Sequence, residues 1–442
     1  MMKYKDFLVP DLGKGNVTSP LKQSRTTDSP VYKFVDENDR VLYDVSVDNI
    51  KTILAKGETP ISFEKAGPRD TLLFEPAKTK AGIVTCGGLC PGLNNVIRSL
   101  VNQLTYRYGV TRILGIKYGF EGLNPEYNHP VVELTAPMVN YIHHSGGTIL
   151  GTSRGNQDVG MMVDAIELMN LNMLFCIGGD GTLHGAHAIH EEIKKRKLKI
   201  AVAGIPKTID NDIDFIQQSF GFETAFSIAN DVIRYAHNEA SGAYNGIALV
   251  KLMGRDSGFI AASAAIAIQE VNFVLIPEQP FDLYGPRGFL NILKKRLEER
   301  HHAVVVVAEG AGQELFGPSE KEKDASGNVK FKDIGIFLKE KIQEEFNAAG
   351  FRHSIKYIDP SYIIRSAPAN PNDSKFCNLL AQNAVHAAMA GKTDFVVGFW
   401  NNRFTLMPIP TVVARRKKID IYGEMWWNVL EATGQPISMK NK

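Results

Sequence analysis

From about Gly82 onward, short apolar runs each break into a glycine-bearing turn and then into a segment of helical period, and this alternation limits what the chain can fold into. Ala81 to Cys86 reads as a strand, after which Leu93, Val96, Ile97, Leu100, Val101 and Leu104 return at helical spacing. Leu174 to Ile177 reads as a buried strand; beyond Gly178-Gly179-Asp180-Gly181 a helix is predicted through Lys195. Ile200 to Ile205, Ile247 to Met253, Phe273 to Ile276 and Val304 to Ala308 continue the series. Phe395 to Trp400 and Phe404 to Ile409, on either side of Asn401-Asn402, read as a hairpin. Strands that alternate with helices form parallel sheets covered on both faces. A multi-domain α/β protein is expected, and 442 residues are enough for it.

Residues 1–78 break the pattern, being polar and proline-rich with only short apolar groups such as Val41 to Val45. They are predicted to form an N-terminal extension or small embellishing domain without chemistry of its own. Basic and acidic residues nearly balance, 50 against 48, which argues against a nucleic-acid partner found by bulk electrostatics. Any anion site must be local. Cys86, Cys90, Cys176 and Cys377 are too few for a disulfide framework and lack partners at zinc-like spacing. The longest greasy stretch, Phe259 to Ile268, is about half a membrane span. No membrane partner and a cytoplasmic location are expected.

Three strand ends carry the chemistry. Cys86-Gly87-Gly88-Leu89-Cys90-Pro91-Gly92 joins a strand to a helix; its glycines let backbone N–H groups approach an anion at a helix N-terminus. Ile177-Gly178-Gly179-Asp180-Gly181-Thr182 repeats the arrangement with an added acid. A carboxylate among phosphate-binding glycines repels phosphate unless a cation stands between, and magnesium is the usual mediator. Pro206-Lys207-Thr208-Ile209-Asp210-Asn211-Asp212 follows the third strand. Its two carboxylates suit one metal-associated role and one base role, because a hydroxyl attacking phosphorus needs a proton acceptor. Arg154 in Gly151-Thr152-Ser153-Arg154-Gly155 and Arg255 in Met253-Gly254-Arg255-Asp256 fit phosphate recognition or stabilisation of transferring charge. Glu309-Gly310 could accept sugar hydroxyls. Lys194 to Lys199 reads as a solvated helix end, and His184, His187 and His190 as a solvated helix face.

Together these motifs resemble the 6-phosphofructokinase family. Cys86–Asn94, Gly178–Thr182, Lys207–Asp212, Met253–Arg255, Glu309–Gly310 and Tyr362–Arg365 stand in the family's order, and the likeness runs from about Gly82 to Gly391. The stretches Ile205–Asp212, Val250–Ala261 and Tyr357–Arg365 are most similar to ATP-using members of the pyrophosphate-type branch, as in trypanosomes.

The resemblance implies two Rossmann-like three-layer domains with parallel-rich sheets. Residues 79–222, completed by part of 376–442, would bind nucleotide; 223–375 would bind sugar phosphate; and 376–442 would form a C-terminal helix, hairpin and tail. It implies an ATP-dependent transfer of the γ-phosphoryl group to the 1-hydroxyl of fructose 6-phosphate, in a dimer or tetramer. Asp210 would be the base, with Asp180 and Asp212 handling Mg2+. Thr208 and Arg255 would steady the moving phosphoryl group, and Arg154 would sit between donor and acceptor. Gly87, Gly88, Gly179, Gly181, Thr182 and Lys207 would face the donor. Met253, Gly254, Glu309, Tyr362 and Arg365 would hold the sugar phosphate.

The chain departs from the family at three places. Lys207 stands where bacterial ATP enzymes have glycine and pyrophosphate users have lysine. Gly246 falls where bacterial members carry an arginine lent to a neighbouring subunit. Ser366 to Asn370 replaces a Gly-Gly-Ser-Pro run, which leaves Lys375 as the candidate final phosphate ligand. The alternative donor is pyrophosphate. A lipid or NAD kinase would share Gly-Gly-Asp-Gly-Thr but not Thr-Ile-Asp-Asn-Asp or Met-Gly-Arg, and a silent regulatory subunit would not need Asp180, Asp210 and Asp212 together.

Overall fold

The structure is a computed structural model that describes residues 2–25, 31–317 and 330–441. The chain divides into two compact units. The first comprises Met1–Thr208, Ile213–Gly221 and Ser366–Arg416; the second comprises Ile209–Asp212, Phe222–Arg365 and Lys417–Lys442.

The first unit is organised by a nine-stranded sheet. Its order is Arg40–Leu42, Ser62–Lys65, Arg403–Pro408, Phe395–Trp400, Ala201–Pro206, Met173–Gly178, Lys80–Thr85, Arg112–Ile116 and Val131–Glu133. The middle of the sheet, from Phe395–Trp400 to Arg112–Ile116, is parallel, and both margins are antiparallel. Every residue of Met173–Gly178 and of Ala201–Pro206 is buried, as expected of strands covered on both faces. The helices Leu93–Asn102 and Asp180–Lys195 each follow such a strand.

The second unit has a four-stranded, fully parallel sheet in the order Phe273–Leu275, His302–Ala308, Gly246–Leu252 and Ser354–Ile358. Helices Phe222–Ser241, Phe259–Ile268, Phe289–Arg300 and Ile334–Ala348 alternate with its strands. The Asp333 side chain caps the last of these by accepting from the Ile336 N–H at 3.0 Å.

Several segments fall differently from the sequence expectation: Ile209–Asp212 lies in the second unit, and residues 366–375 lie in the first. Residues 1–78 do not stand apart: Ser62–Lys65 pairs with Arg403–Pro408, and Arg40–Leu42 extends the same sheet. The C-terminal segment also divides. Lys417–Lys442 belongs to the second unit, where the Gln435 side chain bonds both backbone groups of Val274, at 2.6 Å and 3.3 Å.

Gly246 explains one departure. It opens its strand with N–H bonds to Ala243 and His301 carbonyls, and a Cβ there would lie 2.0 Å from the Ala240 carbonyl oxygen. No side chain fits without moving backbone. Gly246→Arg is therefore expected to destabilise the fold by about 2 kcal/mol or more, read as a lower urea midpoint at unchanged slope. A midpoint equal to the parent's would mean that the position has room after all.

Candidate active site

In the first unit, three glycine- or lysine-bearing segments leave adjacent parallel strands at one edge. Thr85 is in register with Ile177, and Gly178 with Pro206, so the three strands end nearly level. Open α/β sheets bind ligands at such carboxyl ends.

The Gly87-Gly88 turn is built close. Gly87 has φ +83°, its N–H donates to the Ser153 carbonyl at 3.0 Å, and its own carbonyl accepts from the Thr152 hydroxyl at 2.6 Å. A Cβ on Gly87 would meet the Lys207 Nζ at 3.2 Å, and one on Gly88 would meet the Arg154 Nη2 at 3.3 Å. The missing side chains thus let two cations lie against one stretch of backbone. Lys207 is buried, and its ammonium donates to the Gly88 carbonyl at 2.8 Å. It is an anchored charge rather than a free-swinging one. Arg154 is exposed. Cys86, beside this turn, is inert: burial pushes its thiol up to about 12.

Asp180 opens the helix Asp180–Lys195, where the first-turn amides and helix dipole favour a carboxylate. Its side chain is partly exposed and has two basic neighbours, the His184 Nδ1 at 3.6 Å and the Arg416 Nη2 at 3.5 Å. Gly181 follows it, exposed, with nothing within 4 Å of where a Cβ would stand. Thr182 turns inward instead, filling the space above Gly178. Gly179 also approaches closely, since a Cβ would meet the Lys207 carbonyl oxygen at 3.1 Å. Among the described residues no three His, Cys, Asp or Glu side chains are grouped to hold a metal ion. A single carboxylate at a helix start suits magnesium that arrives on phosphates and keeps its waters, not a caged resident metal. Thr208 ends this unit; it is buried, and its carbonyl accepts from the Ser219 hydroxyl at 2.5 Å.

The second unit gathers a charged cluster around Asp210. Burial raises the Asp210 carboxyl to about 7; Asp212 and Glu309 push the same way, while Arg365 and Arg255 oppose them. The sequence placed all five residues in the site, and within this unit the structure brings them into electrostatic reach of one another. Arg255 is held in a left-handed conformation, φ +49°, which costs a non-glycine residue about 1–3 kcal/mol. Two contacts impose it. The Arg255 N–H donates to the Glu309 Oε1 at 2.8 Å, and Gly310 admits the Arg255 carbonyl, which would lie 2.0 Å from a Cβ there. Gly254, at φ +150°, makes the preceding turn, closed by the Ser257 N–H on the Gly254 carbonyl at 2.8 Å. Met253 is buried beneath it. The Ser257 hydroxyl also reaches the Asp210 carbonyl at 3.4 Å.

Tyr362 stands on the short helix Ser361–Ser366 with its ring exposed. Lys375 is exposed on the helix Pro371–Met389, in the first unit. The histidine face is a correction to the sequence expectation. His187 Nδ1 lies 3.0 Å from the Asp394 carboxylate, and His190 is buried against the Thr393 hydroxyl at 3.1 Å; only His184 is exposed. Sequence reasoning missed Arg416, whose only signal was a basic run after the hairpin.

Comparisons with known proteins give the family. A sequence model of the family described as Phosphofructokinase matches residues 80–388. The chain is 50% identical over 442 residues to an "ATP-dependent 6-phosphofructokinase" of Borreliella burgdorferi, covering 99% of this chain and 98% of that protein. It is 43% identical over 405 residues to the protein of the same name from Trypanosoma cruzi, covering 91% and 83%. Its fold is similar to that of a pyrophosphate-dependent phosphofructokinase from Marinobacter aquaeolei, with TM-score 0.66 and 19% identity over 80% of this chain and 91% of that one. With the family model spanning well over half of the chain and near-full-length relatives at such identity, the chain belongs to the phosphofructokinase family.

Proposed function

We propose that the chain catalyses transfer of the γ-phosphoryl group of MgATP to the 1-hydroxyl of fructose 6-phosphate, the glycolytic 6-phosphofructokinase reaction. One observation carries this reading: Asp210, a carboxyl raised to about 7, stands in reach of Arg255 and Arg365, a proton acceptor beside anion-binding cations. Relatives of the same activity by name, at 43–50% identity, support ATP as donor.

In this reading Asp210 takes the proton of the 1-hydroxyl as its oxygen bonds the γ-phosphorus, and ADP departs. Arg255 and Thr208 steady the moving group. Met253, Gly254, Glu309 and Arg365 hold the sugar phosphate. Gly87, Gly88, Gly179 and Gly181 leave room for the donor, Thr182 supports that turn from beneath, and Lys207 and Arg154 bring positive charge to it. The magnesium carried by the donor neutralises phosphate charge, with Asp180 and Asp212 as its carboxylate partners. No described helix is long and apolar enough to cross a membrane. The enzyme of this reading works in the cytosol as a homo-oligomer, dimer or tetramer.

A coupled assay with fructose 6-phosphate and magnesium, offering ATP or pyrophosphate, tests the proposal. Fructose 1,6-bisphosphate and ADP are expected from ATP. Absence of fructose bisphosphate with either donor would sink the acceptor assignment; product from pyrophosphate alone would change only the donor.

Arg154→Ala is expected to lower turnover by about tenfold or more while changing sugar affinity little, because charge shared by donor and acceptor peaks in the transition state. Loss of sugar affinity at unchanged turnover would reassign Arg154 to phosphate anchoring.

A further inference from the structure

Arg415-Arg416-Lys417-Lys418 follows the strand Arg403–Pro408 and the one-turn helix Ile409–Val412. Each member meets a different aspartate. Arg415 pairs with Asp214. The Arg416 Nη2 lies 3.5 Å from the Asp180 Oδ2. The Lys417 N–H donates to the Asp212 carbonyl at 2.8 Å. Lys418 pairs with Asp256 at 2.7 Å. The main chain at Arg416 forms an antiparallel bridge with Ile213, so its position is set by backbone and not by its side chain.

Arg416 and Asp180 both belong to the first unit. Asp180 also stands at a helix N-terminus, whose dipole favours its carboxylate whether or not Arg416 is turned toward it. The pair is also open: 3.5 Å is long for a charge-assisted bond, and the two side chains keep 31% and 34% of their surface exposed. Ion pairs of that kind contribute little to stability. What remains is a cation fixed at the start of a helix beside Gly181, whose missing side chain leaves open space.

We propose that Arg416 is a donor-binding residue: its guanidinium is parked on Asp180 while the site is empty and turns to a phosphate oxygen of the incoming nucleotide. Asp180 is then free for the magnesium that the nucleotide carries. The assignment rests on the ATP reading above. A planar guanidinium with several donors suits phosphate better than a point charge does. Arg415 gives a built-in comparison, since it lies in the same run but pairs with Asp214 instead of Asp180 and holds its guanidinium 5.5 Å from the Phe215 ring centroid.

The two possible roles of Arg416 separate in a double-mutant binding experiment, because a grip on phosphate survives removal of the Asp180 charge and mere neutralisation does not. Calorimetry would follow ATP binding to the full-length protein, once with magnesium and once with EDTA. If Arg416 grips phosphate, Arg416→Ala weakens magnesium-free ATP binding roughly tenfold or more. Arg416→Lys recovers part of the loss, and Arg415→Ala leaves affinity unchanged. If Arg416 only neutralises Asp180, its removal bares a carboxylate that repels phosphate, and the loss disappears when Arg416→Ala is made in an Asp180→Asn background; that outcome, or no loss at all, overturns the proposal. Equal losses in Arg415→Ala and Arg416→Ala would also overturn it, because general positive charge would then suffice. Should Arg416→Ala melt early, Arg416→Gln, which keeps much of the volume, takes its place. A parent that turns over fructose 6-phosphate with pyrophosphate but binds no ATP would overturn the donor reading and this role together. Where the parent binds ATP normally, a loss or its absence in the variants bears on Arg416 alone.

Discussion

Asp210→Asn is expected to cut turnover with MgATP and fructose 6-phosphate at least ~10²-fold while leaving sugar affinity nearly intact, the usual worth of a general base. The amide keeps the carboxyl's shape but accepts no proton. It also removes a buried negative charge from beside Asp212 and Glu309, so the fold should be no less stable. The pH dependence gives a second check. Burial and two neighbouring acids raise the Asp210 carboxyl to about 7, and only its ionised form can take a proton. In the parent, kcat/KM should therefore fall as pH drops through and below that region. The acid limb should be missing from the residual activity of Asp210→Asn. Turnover within a few-fold of the parent, or an acid limb that survives the substitution, would remove Asp210 from the base role.

The parts of this site that were legible in the sequence are local ones. Gly87-Gly88, Gly178 to Thr182 and Lys207 to Asp212 each sit at the end of a strand whose apolar run is uninterrupted, so motif and element announce each other. Arg255 and Glu309 were legible for the same reason, each following a valine- or leucine-rich strand. What was not legible depends on contacts between distant segments. Arg416 is 236 residues from Asp180, and a basic run reads as solvated surface until its acids are seen. His187 and His190 look like a polar helix face because nothing near them in sequence reveals Thr393 and Asp394. Arg40–Leu42 and Ser62–Lys65 are too short to stand out by alternation, and they become strands only by pairing onto Arg403–Pro408.

Lys207 shows how burial changes what a side chain's charge can do. A solvated lysine near phosphates would be free to serve pyrophosphate or to swing aside for a nucleotide. The structure holds it buried, with its ammonium on the Gly88 carbonyl. Its charge therefore faces the first glycine turn. Donor choice must be sought in residues whose side chains, or lack of them, face open space.

Gly181 is that residue. It lies in the first turn of the helix Asp180–Lys195, exposed, and its φ is outside the left-handed region. Neither backbone strain nor packing requires glycine there, since apart from its chain neighbours and its own helix backbone no described atom lies within 4 Å of the point a Cβ would occupy. A helix start favours acidic residues over glycine. Gly181→Asp should accordingly fold as well as the parent or slightly better, with a melting temperature that is equal or higher. Under the ATP reading the effect on activity runs the other way. The backbone after Asp180 is where the donor's inner phosphate and its nucleoside must pass, and an added carboxylate would fill that space and set a second negative charge against phosphate. Combined steric and charge conflict of this kind should lower kcat/KM for ATP by at least ~10³-fold. Pyrophosphate has no nucleoside to exclude, and with the Lys207 ammonium already in place the variant is expected to lose far less toward that donor. The measurement is kcat/KM for both donors in parent and variant, beside thermal melts of each. A stable variant that keeps ATP activity within tenfold of the parent would show that the open space at Gly181 has nothing to do with the donor.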